Sequence, residues 1–530
     1  MTAAQDGGVS LASVGRAAFV LTSATAGVQV LAIVRELFLA ANAGVSADLD
    51  ALLIGVVLPT TMANILTSGP STAMVPAYLD ARASGGLPDA RRLAGTVLVW
   101  LGLVGLAMTI ILEVVAGDAV AIAGPGLSAA GRASAADYLR LLAPMAFVAS
   151  LNGTLYAVCQ AEQRFAAIAV AIVSGAAVTL VTMILFWSGL GLGAFALGNL
   201  LGPVVTLAIL AAELARRSIA PRPHLVSRGL GLGAFVRHAA PLTLSSAILQ
   251  INTVFDRAVA SLIGPGAVSA LRYGDTLVRV PTGAISPAWG AAIYPALVRS
   301  THESDRGSLA SMAERSLRYV LAVFMPLSVL TLAVAPIAVR VAYGRGAFTS
   351  AALDQTSLVV AGFAPLVVTL MLSQTLTGAL NARRRGSALL MAGTINVILN
   401  CVLDLVLGFP FGVGGIALSS SITAVIVVAF KAGRLARLEE AFQVRPLARK
   451  VVVASAAALP GALLCGALAW TGHYPRGLAG DLATLAVFGV AGLASYVVLV
   501  TRLGLTEPRM ILDGVLSRLR RRRTASGSPK

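Results

Sequence analysis

Long apolar runs alternate with short polar gaps from one end of the chain to the other. Crossing about 30 Å of hydrocarbon at about 1.5 Å per residue takes about 20 helical residues. Fourteen runs reach that length, near residues 12–42, 48–79, 88–117, 134–160, 163–189, 191–217, 231–263, 265–298, 309–341, 349–381, 384–407, 412–438, 446–472 and 479–503. The pattern predicts an all-α polytopic membrane protein with fourteen transmembrane helices. Several runs exceed the minimum and contain Pro59, Pro281 or Gly362, so bent helices are expected. No gap is long enough for a folded domain outside the membrane.

The basic residues test that count, because cytoplasmic segments carry the excess of Lys and Arg. Of the 40, 31 fall in alternate segments when the N-terminus is placed inside; one gap alone holds Arg216, Arg217, Arg222, Arg228 and Arg237. Both termini are therefore expected in the cytoplasm, residues 1–11 at one end and a basic tail, 504–530, at the other. The tail, with Arg520, Arg521, Arg522 and Arg523, reads either as a segment lying on anionic lipid or as a stop-transfer cluster.

Composition narrows the classes further. The 530 residues are 57% hydrophobic and 12% charged, against about 25% charged in soluble domains, and the mean hydropathy is +0.86. The net charge of +17 lies in the gaps between apolar runs, which points to membrane orientation rather than to a nucleic-acid partner. Cys159, Cys401 and Cys465 lie inside apolar runs without paired spacing, and the four histidines are scattered. Neither a disulfide framework, a metal cluster nor a Ser/His/Asp arrangement can be read, so no catalytic residue and no cofactor is expected. The first apolar run is too long for a signal peptide and is expected to remain as a helix. No Gly-x-x-x-x-Gly-Lys-Ser/Thr stretch is present to use ATP.

An internal repeat appears at an offset of 221 to 222 residues. Gly44 and Pro59 recur as Gly266 and Pro281, and Leu151, Thr154, Leu155, Ala161 and Arg164 recur as Leu372, Thr375, Leu376, Ala382 and Arg385. Six helices intervene, so the two copies keep the same orientation across the membrane. The expected architecture is an N-lobe of helices 1–6 (12–217) and a C-lobe of helices 7–12 (231–438), with helices 13 and 14 (446–503) appended. Two like-oriented bundles around a central space imply translocation by alternating access.

Ionisable residues inside a bilayer cost about 3 kcal/mol each on insertion scales and should face a cavity or a partner. The first span carries Arg35 and Glu36, the second opens with Asp48 and Asp50, and the seventh carries Asp256 and Arg257, the latter matching Arg35 by the repeat. The eighth places Arg272, Asp275 and Arg279 on one face. These arginines either neutralise a central carboxylate and snorkel, or line a cationic cavity suited to phosphate oxygens. In the eleventh span Asn400 and Asp404 share a face, with Asn396 a turn earlier. Asp256, Asn400 and Asp404 could hold Na⁺ or carry H⁺ as the coupling ion; the alternative is an interhelical hydrogen bond serving packing.

At these residues the chain resembles the lipid II flippase (MurJ/MviN) family of the multidrug/oligosaccharidyl-lipid/polysaccharide exporter superfamily. The likeness is carried by Ile251-Asn252-Thr253 with Asp256-Arg257, Ala260-Ser261, the run Gly266 to Leu271, Tyr273, Asp275, Leu277 and Pro281. It extends to Leu58-Pro59, Val75-Pro76, Arg164-Phe165 and the stretch Tyr343 to Thr349. The resemblance implies a flippase in a bacterial cytoplasmic (inner) membrane that moves an undecaprenyl-pyrophosphate-linked glycan, with lipid II the expected cargo. Arg35, Asp50, Arg257, Arg272, Asp275 and Arg279 are the expected substrate-binding residues, Arg35 and Asp50 matching the family pattern and Arg272 and Arg279 standing one turn from family arginines that this chain lacks; the resemblance also favours a sodium site at Asp256, Asn400 and Asp404. Expected partners are the lipid-linked glycan pyrophosphate, anionic lipids at the tail, and cell-wall synthesis proteins. The chain departs from the family pattern at Ala63, Asn64 and Thr276, where arginines are usual, at Ser68, where an acid is usual, and at Gln29. A flippase for another lipid-linked polysaccharide therefore stays open, as does a cation-coupled multidrug exporter of the same superfamily, whose cavity should be acidic. A membrane glycosyltransferase or polymerase would need catalytic groups in a sizeable aqueous loop, which no gap provides.

Overall fold

The structure, a computed structural model, describes residues 11–225, 232–301, 308–472, 475 and 477–502. The tail 504–530 and all but the last residue of the segment 1–11 lie outside the described residues. Among the described residues there are helices and no strands. Two compact units divide the chain. The first is Met1–Leu39 with Ser46–Val268, and the second is Ala40–Val45 with Ser269–Lys530.

The first unit holds α1 (Leu11–Ala43, all but its end), α2 (Ala47–Val114), α3 (Ala116–Ala123) and α4 (Ala129–Leu142). It continues with α5 (Met145–Ala161), α6 (Phe165–Leu190), α7 (Leu192–Arg216) and α8 (Leu232–Ile263). The second holds α9 (Ala267–Arg299), α10 (Ser308–Tyr343), α11 (Ser350–Phe363) and α12 (Leu366–Ala382). It ends with α13 (Gly386–Ala436), α14 (Val444–Thr471) and α15 (Leu478–Arg502).

All fourteen expected spans are present as helix. Eleven continuous or near-continuous helices are long and apolar enough to cross a membrane. Two of them each contain a pair of spans: α2 reverses at Gly85 and Gly86, and α13 at Gly412. Gly86 at φ 72° and Gly412 at φ 63° occupy the left-handed region, which a side chain would make costly. The last span is α9, whose Arg272, Asp275 and Arg279 lower its hydropathy. Conversely, α4 and α5 together make one span interrupted at Ala143-Pro144, and α11 and α12 one interrupted at Ala364-Pro365, because proline cannot donate to the helical ladder.

The repeat is written into the helix ends. Ser128 caps α4 by accepting from Gly131 N at 3.0 Å, and Thr349 caps α11 by accepting from Ala352 N at 3.2 Å. Gln163 and Arg384, the residues two past the ends of α5 and α12, are both left-handed at φ 56° and 54°. Each pair of following amides turns back onto its helix: Arg164 N donates to Cys159 O at 2.7 Å, and Arg385 N to Leu380 O at 3.0 Å. Gly191 and Gly412 turn the chain at φ 51° and 63°. Every one of these pairs is separated by 221 residues, as the sequence repeat requires.

The compact units break one helix later than the repeat does. α8 packs on α2 and α3 inside the first unit, and Gly126 N donates to Ser261 Oγ at 3.1 Å. A Cβ on Gly126 would stand 1.9 Å from Ser261 O, so only glycine permits this approach. The second unit has the counterpart contact at the repeat-related position, where Ala347 N donates to Ala41 O at 2.8 Å. The end of α1 thus serves the second unit as the end of α8 serves the first.

Large apolar side chains such as Ile110, Leu185, Phe186, Leu463, Leu464 and Val490 are exposed, as expected where lipid rather than water is the solvent. Helix contacts rest on small residues instead, for example Gly175 against Gly202 and Thr179 against Gly198 where α6 packs on α7. If both termini are cytoplasmic, fluorescent-protein fusions after Arg217 or Arg384 will fluoresce, and fusions after Gly191 or Gly412 will stay dark. The opposite pattern would remove the orientation.

Candidate functional site

Arg35, Asp50, Asp256 and Arg257 belong to the first unit, and Arg272, Asp275, Arg279, Asn400 and Asp404 to the second. In the first, Arg35 on α1 has a local partner. Its Nη2 lies 3.1 Å from Glu36 Oε1, and its Cζ sits 5.5 Å from the Phe195 ring centroid on α7. Glu36 is buried, which an adjacent guanidinium makes tolerable. Asp50, also buried, accepts from Gly266 N at 2.6 Å and so anchors the turn after α8 to the start of α2. Arg257 reaches the same end of α2, donating from Nη1 to Leu53 O at 3.2 Å. The structure brings Asp50 and Arg257 to one end of α2, each with a backbone partner.

In the second unit Asp275 Oδ1 accepts from Arg279 Nε, a pair one helical turn apart on α9, and Arg279 Cζ lies 6.0 Å from the Phe363 ring centroid. The pair is open: the Arg279 side chain is 49% exposed and Asp275 37%. Arg272, one turn earlier, is half-buried.

Asn400 and Asp404 are buried on α13 and bonded to one another, Nδ2 to Oδ2 at 2.9 Å. The same carboxylate receives a hydrogen bond from Ser419 Oγ, on the far side of the Gly412 turn. One turn beyond, Thr423 Oγ1 is buried and has no partner among the described residues. Ser419 and Thr423 were not expected from the sequence; the signal was the hydroxyl run Ser419-Ser420-Ser421 followed by Thr423 in an otherwise apolar span. Lys431, toward the end of α13, turns its Nζ inward to donate to Ser373 Oγ at 2.7 Å and Thr377 Oγ1 at 3.0 Å on α12.

A third feature lies wholly within the first unit. A partly open cavity of about 420 Å³ is enclosed by α2, α5, α6 and α7. Ala63 and Asn64, two of the positions that depart from the family pattern, line it, so its wall is neutral there.

Fourteen apolar helices in two repeats, with arginines and buried carboxylates inside the spans, define a multi-pass membrane protein of transporter architecture. The family model for the lipid II flippase MurJ matches residues 39–488, and the chain belongs to that family. A probable lipid II flippase MurJ of Vibrio cholerae is 24% identical over 502 residues, covering 90% of this chain and 93% of the relative. One from Thermotoga maritima is 25% identical over 400 residues, covering 74% and 80%. Among solved structures, a lipid II flippase MurJ in an inward closed conformation superposes with a TM-score of 0.77 at 19% identity, covering 92% of this chain and 98% of that one. An inward-facing multidrug resistance MATE transporter reaches 0.65 at 18% identity, covering 79% and 95%. These likenesses establish a shared fold.

Proposed function

We propose that the protein flips a polyprenyl-pyrophosphate-linked glycan precursor, lipid II in the first instance, across a bacterial cytoplasmic membrane, with both termini in the cytoplasm. The observation that carries this reading is membership of the lipid II flippase family over residues 39–488. Arg272 and Arg279, with Arg35 and Arg257, provide guanidinium forks that suit pyrophosphate oxygens, while Asp50 and Asp275 set their orientation. Two six-helix repeats with α14 and α15 appended move the cargo by alternating access.

Coupling falls to a monovalent cation at Asp404, Asn400 and Ser419 of the second unit, and Asp256, on α8 of the first unit, is a further coupling carboxylate. The donor set fits: one carboxylate, a carboxamide and a serine hydroxyl are hard oxygen ligands, and the Thr423 hydroxyl, without a partner among the described residues, offers another. The group would supply charge compensation for Asp404 and link its state to helix packing. The tail 504–530 rests on anionic lipid, and cell-wall synthesis proteins are the protein partners.

Depletion of the protein in the native bacterium, followed by identification of the lipid-linked intermediate that accumulates inside the cell, tests the cargo. Lipid II should build up several-fold. A second reading is favoured by the neutral Ala63 and Asn64: another lipid-linked glycan is carried, in which case lipid II stays constant and a surface polysaccharide is lost.

A further inference from the structure

The cavity of the first unit and the interior of the second are the same place in the repeat, filled differently. Asn152, Tyr156 and Leu210 line the cavity. At the offset of 221 they become Ser373, Thr377 and Lys431. In the second unit the Lys431 ammonium occupies this interior and is held by the Ser373 and Thr377 hydroxyls, with no carboxylate in ion-pair range among the described residues. In the first unit Leu210 supplies no such group, and the space remains.

The polar wall of that space is arranged to receive donors. Thr67 commits its hydroxyl proton to Ala63 O and Ala149 O at 2.8 and 3.2 Å, and Thr179 to Gly175 O and Gly198 O, both at 3.1 Å. Thr206 does the same toward Ala171 O and Gly202 O, at 3.2 and 3.1 Å. Each threonine therefore has only lone pairs left to offer. Asn152 directs Nδ2 at Pro203 O at 2.9 Å, which leaves its buried Oδ1 with no hydrogen-bond partner among the described residues. Asn199 donates one of its two Nδ2 protons to Phe195 O at 2.7 Å. A buried acceptor without a donor costs about 1–3 kcal/mol, and a ligand that brings one recovers it. The rest of the wall, Met145, Ile172 and Leu210 included, is apolar apart from Asn64 and Tyr156.

We propose that this cavity is a binding site for an alkylammonium group, a compact apolar chain ending in N–H donors. Its volume lies in the range of small-molecule sites. Lys431 supplies the precedent inside the same molecule, since its side chain is a tethered alkylammonium accepted by neutral oxygens at the equivalent position. The proposal does not depend on which lipid-linked glycan the protein moves.

The test uses the purified full-length chain in a neutral maltoside detergent, titrated calorimetrically with n-hexylammonium and, separately, with n-hexanol of the same length. Hexylammonium should bind saturably at one site, and hexanol at least about tenfold more weakly, the worth of a charge-assisted hydrogen bond. Asn152→Leu should weaken hexylammonium by about tenfold. Leu210→Lys, which delivers the ammonium from within, should abolish the site. Equal binding of hexanol and hexylammonium to the unaltered chain overturns the proposal without reference to any variant. So does an absence of saturable binding, or hexylammonium affinity unchanged in two variants that retain the parent's unfolding temperature.

Discussion

Replacing Arg272 and Arg279 together by Gln is expected to abolish transport while leaving the protein in the membrane at its normal level. The two halves of that expectation have separate physical grounds. Arg279 and Asp275 form an ion pair that is 49% and 37% exposed, and an exposed pair within a helix contributes about 0–1 kcal/mol. Asp275 then loses Arg279 but is 37% exposed rather than buried, so insertion and folding survive. A pyrophosphate, in contrast, loses two guanidinium forks at once, and glutamine offers neither the charge nor the bidentate geometry. Arg35, with Nη2 already 3.1 Å from Glu36, cannot by itself replace two forks. The check is complementation of a depleted strain together with labelling of cargo at the outer surface, with membrane content read by immunoblot. Full complementation would take both arginines out of the mechanism. The single Asp275→Asn variant should be milder, since it frees Arg279 rather than deleting it.

What could be read from the residue pattern follows from what that pattern encodes. Membrane spans are set by length and hydropathy, which are local, so all fourteen were legible, including the reversals at Gly86 and Gly412 that lie inside continuous helical stretches. The repeat was legible as well. Its clearest marks are backbone ones, though, such as the caps at Ser128 and Thr349 and the left-handed Gln163 and Arg384, whose identities differ between copies. Which unit a helix joins was not legible, because nothing within 232–263 reports that α8 packs on α2. The buried site on α13 was half legible. Asn400 and Asp404 share a face at a spacing of four, whereas Ser419 comes 15 residues later in sequence and meets Asp404 only because Gly412 reverses the chain. The inward turn of Lys431 was not legible for a related reason. A lysine near the end of a span has the reach to snorkel outward or turn inward, and only the hydroxyls of Ser373 and Thr377 on another helix decide between them. The cavity had no sequence signal, since a void is defined by what four helices fail to fill.

Asp404 should separate coupling from packing. In Asp404→Asn the side-chain oxygen still accepts from Ser419, and the new amide can donate to Asn400 Oδ1 after that group turns over, so the local bonding is largely kept. The loss is the negative charge. Stability should change by less than about 1 kcal/mol, while transport in vesicles falls to a rate that no longer responds to an imposed sodium or proton gradient. Asp404→Leu removes both bonds to the carboxylate, although Ser419 Oγ keeps Ile416 O at 2.8 Å, and should cost about 1–3 kcal/mol. Thermal unfolding of the two variants, measured beside gradient-dependent flipping, distinguishes the roles. A site that serves packing alone predicts that Asp404→Asn keeps its gradient response. A cation site predicts that it loses that response at near-native stability, and the buried position of Asp404, with hard oxygens around it and Thr423 Oγ1 lacking a partner among the described residues, favours that second result.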